Sequence, residues 1–164
     1  MKVIADLQLH SRFSRAVSSQ MVVPIISQWA KKKGIGIVAT GDWTHPIWLR
    51  ELKANLIEAG EGVYKLNSKS ENKEPLFLLS TEVSSIYSQG GHTRRIHTLI
   101  FAPNFDVVEK INKEFVIRGA NLMSDGRPII GLSARQVAQI ALETHEKCLI
   151  IPAHAWTPWF SLYG

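Results

Sequence analysis

The order of apolar and polar positions predicts short strands alternating with amphipathic helices. Residues 2–10 begin apolar and then alternate, with Asp6, Gln8 and His10 at every second position, which predicts a strand with one polar face. A Ser- and Arg-rich loop follows over 11–19. Pro24 then opens a helix through Lys33, with Lys31, Lys32 and Lys33 in its last turn and Gly34 as its stop. Residues 35–40 (IGIVAT) read as a buried strand, and Pro46 opens a second helix through about Ala59, closed by Gly60. The polar run 67–74 reads as a loop, and 76–83 and 96–102 as strands. Residues 106–118 place Val107, Val108, Ile111 and Phe115 on one helical stripe. Ser133 reads as the N-cap of a helix beginning at Ala134, 149–152 as a last strand, and 153–164 as a loop. This order predicts a mostly parallel α/β architecture.

Composition narrows the class. A chain of 164 residues, 45% hydrophobic and 20% charged, is the size and make-up of one globular domain. No internal repeat or linker divides it. Cys148 is the single cysteine, so neither an internal disulfide nor a multi-cysteine zinc site is available. There is no apolar run of transmembrane length and no signal-peptide pattern at the start, so the expectation is a cytoplasmic protein with no membrane partner. A net charge of +5 favours phosphate-bearing partners. Serine-nucleophile elbows, Walker loops, dinucleotide fingerprints and HExxH are all missing. Cys148 precedes an apolar strand and reads as a buried thiol.

The candidate chemistry lies at strand ends. His10 closes the first strand, Asp42 and His45 follow the second, Glu82 ends the third, His97 begins the fourth and His154 follows the last. In α/β barrels the C-terminal strand ends carry the active site. Histidine with carboxylate is the ligand set of zinc, manganese or iron. Each residue also has a bland reading: a lone histidine at a strand end is usually solvated, as His92 and His145 fit, Asp42 can cap a turn, and Gln8 can be a core amide. The joint placement argues for a shared site, and both readings stand at this level. Arg12 and Arg15 follow His10, and Arg94 and Arg95 precede His97; arginine forks suit phosphate oxygens. Trp43, Trp48, Trp156, Trp159 and Phe160 flank the same positions, either stacking on bases or packing a barrel mouth.

DLQLHS resembles the DxHxH first motif of the PHP (polymerase and histidinol phosphatase) superfamily. Within it, ADLQLHSRFSRA, VATGDWTHPIWLREL, STEVSSIY, RRIHTLIFAP and IPAHAWTPWFSLYG resemble the endonuclease Q group, in the same order, from residue 3 to 164. The resemblance implies a (β/α)7 barrel with zinc or manganese ions, of undetermined number, at the strand C-terminal ends. It implies phosphodiester hydrolysis in DNA beside deaminated or damaged bases, a DNA-repair activity. His10, Asp42, His45, Glu82, His97 and His154 match metal-site positions. In this reading Glu82 bridges metals and is catalytic with Asp42, while Arg12, Arg15, Arg94 and Arg95 meet phosphate. Glu82, His97 and His154 alone make a three-ligand set. Two departures stand out. Gln8 occupies a position where the family has histidine, and the last barrel motif and the zinc-binding Cys cluster are absent. The expectation is therefore an incomplete PHP-type barrel, its N-terminal portion. The alternative is a degenerate or split chain that binds nucleic acid, or a second chain completing the barrel, without catalysis.

Overall fold

A computed structural model describes residues 2–68 and 74–164; most of the polar run expected as a loop lies outside the described residues. Among the described residues, eight strands and four helices follow in the order β1 (Ala5–Asp6), α1 (Val23–Lys32), β2 (Ile37–Ala39), α2 (Pro46–Asn55), β3 (Leu56–Gly60), β4 (Val63–Leu66), β5 (Leu76–Gln89), β6 (His92–Ala102), α3 (Phe105–Ile117), β7 (Ile129–Ile130), α4 (Ala134–Thr144) and β8 (Leu149–Pro152). None of these helices is long and apolar enough to cross a membrane.

The helices form where their caps and stripes predict. Ser133 and Gln136 close a capping box on α4. The Asn104 side chain accepts from the Val107 amide at 2.9 Å to start α3, whose buried stripe is Val107, Val108, Ile111 and Phe115. The helix after Pro46 is shorter than expected. It ends at Asn55, and residues 56–60 turn into β3, which pairs antiparallel with β4. Gly60 and Gly62 supply a hairpin there in place of a helix stop.

The sheet is open and mixed, which corrects the mostly parallel expectation. Among the described residues, β1–β2, β2–β5 and β5–β7 pair in parallel, while β3–β4, β4–β5, β5–β6 and β6–β8 are antiparallel. β5 carries the topology. Its first residues, Leu76 to Leu78, lie between β2 and β4; from Leu79 onward it pairs with β6 as far as Gln89↔His92. The polar residues 84–95 thus belong to one long hairpin turning at Gly90–Gly91, and His92, expected in a loop, begins β6. Glu82 and His97 consequently sit within strands and not at their ends.

Trp43 and Trp48 are fully buried among Leu52, Phe77, Leu79 and Phe115, so they pack the core and do not present faces to bases. Trp48 Nε1 donates to the Gly41 carbonyl at 2.8 Å. That turn has no room for a side chain. Gly41 has φ +63°, and a Cβ there would strike the Leu9 carbonyl. The close approach brings the segment after β1 against the segment after β2, which is how His10 meets Asp42.

Candidate metal centre

Glu82 is the hub. It is 2% exposed on β5, opposite Leu99 of β6 and between the stretches that pair in parallel with β2 and with β7. Its Oε2 accepts from Gln8 Nε2 at 2.8 Å and lies 3.3 Å from His10 Nε2. Its Oε1 lies 2.6 Å from His97 Nδ1, 3.6 Å from Arg127 Nη1 and 3.8 Å from His154 Nε2. Oε1 is paired with His97 by proximity and charge but has no hydrogen-bond partner among the described residues. Burial alone would raise the Glu82 carboxyl, but contacts with His10, His97 and Gln8 and the charge of His97 hold it well below the usual carboxylate range.

The geometry around Oε1 fits a cation. His97 Nδ1 is also 3.2 Å from His154 Nε2, and one ligand atom from each of Glu82, His97 and His154 falls within 4.8 Å of the others. A single imidazole proton cannot serve a carboxylate oxygen and a second imidazole nitrogen at once. A tetrahedral zinc with Zn–N of about 2.0–2.1 Å separates its ligand atoms by about 3.3 Å. The observed 2.6, 3.2 and 3.8 Å bracket that edge. The surroundings orient both rings. His154 Nδ1 is 3.0 Å from Thr157 Oγ1, leaving Nε2 for the cluster, and the ring of Phe160 packs 4.7 Å from that of His97.

His10 links this group to Asp42. Its Nδ1 is 2.8 Å from Asp42 Oδ1 while Nε2 faces Glu82. Burial disfavours its charged form, but the Asp42 and Glu82 carboxylates outweigh this and raise its pKa to about 9. Asp42 is fully buried, and its Oδ2 accepts from the Ser11 amide at 2.6 Å, Ser11 Oγ at 2.7 Å and Ser14 Oγ at 2.9 Å. Both Asp42 oxygens are therefore engaged by protein donors. His45 stands apart from the Glu82 group. It is buried, with its ring 4.3 Å from that of Phe13 and Nδ1 unpartnered. Burial lowers its pKa against the opposing pull of a Met123 backbone hydrogen bond and nearby carboxylates.

The expected phosphate-binding arginines lie around this group and not in it. Arg12 is held 2.5 Å from Glu51 Oε1. Arg15 has an 86% exposed side chain, 3.4 Å from Asp125. Arg94 and Arg95 lie on the exposed part of the β5–β6 hairpin, opposite Tyr87 and Ile86. The arginine in contact with Glu82 is Arg127, which sequence reasoning missed along with Ser11 and Ser14. The only sign of it was a turn-forming SDGRP stretch at 124–128. Of the exposed aromatics, Trp156 and Trp159 remain open to solvent.

Comparison with known proteins follows this geometry. No family model matches the chain. An uncharacterized protein of Methanocaldococcus jannaschii is 29% identical over 153 residues, 93% of this chain and 16% of that protein. The crystal structure of the lesion-specific endonuclease PfuEndoQ from Pyrococcus furiosus superposes with a TM-score of 0.82 at 37% identity, over 98% of this chain and 36% of that one. A structure of endonuclease Q in complex with a 27-mer duplex substrate, an abasic lesion at its active site, gives the same TM-score and identity over 37% of its chain. The chain thus spans little more than a third of the solved relatives. Its resemblance to the endonuclease Q-like group of the PHP superfamily holds in fold as well as in motifs.

Proposed function

We propose that this endonuclease Q-like chain is a metal-dependent phosphodiesterase module acting on DNA, with Glu82, His97 and His154 as the core of its metal site. The convergence of these three ligand atoms on one point, with a buried carboxylate oxygen lacking a hydrogen bond, is the observation that carries the reading. A divalent ion held there would supply Lewis acidity toward a bound water and a phosphate oxygen. His10 is a further ligand candidate through Nε2. Asp42 acts through it, accepting from Nδ1 and so orienting Nε2 toward the site, where a bound cation would displace the Nε2 proton. His45 serves the turn after β2, stacked on Phe13.

In the hydrolysis, a water oxygen bonds to phosphorus while the bond from phosphorus to the leaving sugar oxygen breaks. One water proton ends on that leaving oxygen and the other is released. Glu82, held as a carboxylate, anchors the positive charge the site needs. The lesion-specific endonuclease and the abasic-duplex complex among the relatives support a damaged-DNA substrate; deaminated bases are the lesion class implied by the resemblance in motifs.

Gln8 favours a second reading. Its amide donates to Glu82 Oε2 where the family motif carries a histidine, so a site that binds metal and DNA without turnover is consistent with it. Incubation of the chain with zinc or manganese and end-labelled duplex carrying a deaminated base or an abasic site separates the two. Cleavage that needs metal and is lost in Glu82→Gln supports the nuclease. Metal-dependent binding with no cleavage supports the second reading.

A further inference from the structure

We propose that Arg127 is a substrate-binding residue that receives a phosphodiester oxygen beside the metal site; this rests on the metal-site reading above. The backbone that carries it is anchored on both sides. The Gly126 amide donates to the Phe13 carbonyl at 3.0 Å, and the Gly126 carbonyl accepts from Thr44 Oγ1 at 3.1 Å. The Arg127 amide donates to Asp125 Oδ1 at 3.0 Å. The Pro128 carbonyl accepts from the Ser84 amide at 3.0 Å, and β7 then continues alongside β5 at Ser84 and Ser85. Gly126 is pressed so closely on Asp42 and Ser14 that any side chain there would collide with both.

The head group is loose by contrast. Arg127 Nη1 is 3.6 Å from Glu82 Oε1, beyond hydrogen-bond length, and the side chain is 36% exposed. A fixed backbone with a guanidinium that makes one long ion pair and no hydrogen bond among the described residues is the geometry of an arm that can receive a ligand. A structural ion pair looks like Arg12, closed on Glu51 at 2.5 Å.

Charge identifies the ligand. A divalent cation on Glu82 and a guanidinium beside the same oxygen leave excess positive charge at a buried carboxylate. An anion presenting two oxygens restores balance, and the planar fork of arginine matches a phosphodiester. The four arginines expected in this role make no contact with Glu82 among the described residues.

The test compares wild type, Arg127→Ala, Arg127→Lys and Glu82→Gln. Metal per chain is measured after zinc loading, and affinity for a fluorescent DNA duplex is read by anisotropy between about 50 and 200 mM salt. Arg127→Ala is expected to keep its metal, to bind duplex about tenfold more weakly, and to lower the log–log salt slope by about one, as expected for one lost phosphate contact. Arg127→Lys keeps the slope and recovers part of the affinity. Unchanged duplex affinity and slope in Arg127→Ala would overturn the assignment while leaving the metal site standing. Loss of metal in Arg127→Ala would also overturn it, because Arg127 would then build the site. A wild-type chain that takes up no metal overturns this inference together with the reading beneath it; Glu82→Gln losing the metal that wild type holds keeps that reading secure.

Discussion

Replacing Asp42 by Asn tests whether this residue works through His10. Asp42 is fully buried and accepts four contacts within 3.0 Å, from His10 Nδ1, the Ser11 amide and the hydroxyls of Ser11 and Ser14. Asn keeps the volume and tolerates the left-handed backbone here, φ +53°, so strain is not introduced. What changes is charge, and one acceptor oxygen becomes a donor facing other donors. Hydrogen bonds to a charged group contribute about 1.5–3 kcal/mol each and do not add simply. Breaking one side of a buried ion pair costs about 3–5 kcal/mol, and the same range is expected here. For a chain of this size each kcal/mol moves Tm by about 2–4 °C, so a fall of roughly 6–20 °C follows. With His10 no longer held, metal affinity should drop about 10–100-fold with stoichiometry unchanged. Thermal melts and zinc titration measure both. A melt within about 1 kcal/mol of wild type would refute the network argument. Loss of a whole metal equivalent would make Asp42 a ligand instead of a support.

Four further outcomes are expected. His10 has a folded pKa raised from 6.5 to about 9, so its contribution is fully present below about pH 6.5 and lost as pH rises through about 9. Melts of the metal-stripped chain should weaken over that window by at most roughly 3 kcal/mol, and His10→Gln should flatten the profile. Glu82 runs the other way: held below its usual 4.5, it stabilises above that pH and its contribution fades as acid protonates it, visible as a steeper acid limb than in Glu82→Gln. Gly126→Ala would place a Cβ 2.5 Å from Ser14 Oγ and against the Asp42 carboxylate, so denaturant melts should show a loss of about 1–3 kcal/mol. Cys148 is 6% exposed and burial pushes its thiol up to about 11, so alkylation at neutral pH should proceed only as fast as unfolding exposes it.

Helix starts were legible because they rest on local chemistry: Pro24, Pro46 and the Ser133–Gln136 box each act within one turn. The candidate metal group was partly legible because His and carboxylate near successive strand ends are conspicuous, and of the six residues expected there the ligand atoms of Glu82, His97 and His154 converge. The long hairpin was not. Ser84, Ser85, Ser88, Gln89, Thr93, Arg94 and Arg95 carry too little apolar patterning to look like strand, and pairing between β5 and β6 supplies their order. Residues 56–60 continue a helical run, and tertiary pairing with β4 overrides it. Trp43 and Trp48 lie beside Asp42 and His45 in sequence, yet a tight turn sends the polar side chains one way and the indoles into the core. Arg127 gave no periodic signal because it lies in a turn, and only the contact of that turn with Asp42 and Ser84 brings it to Glu82.

Metal content of the purified chain, with Glu82→Gln and His154→Ala beside it, tests the central claim most directly. His154 has a partly exposed side chain, so its variant reports on the site without unfolding the core. The account predicts about one or more equivalents of zinc or manganese in wild type after loading, lost in both variants whose far-ultraviolet spectra match wild type. A wild-type chain that holds no metal, or variants that keep it in full, would contradict the account.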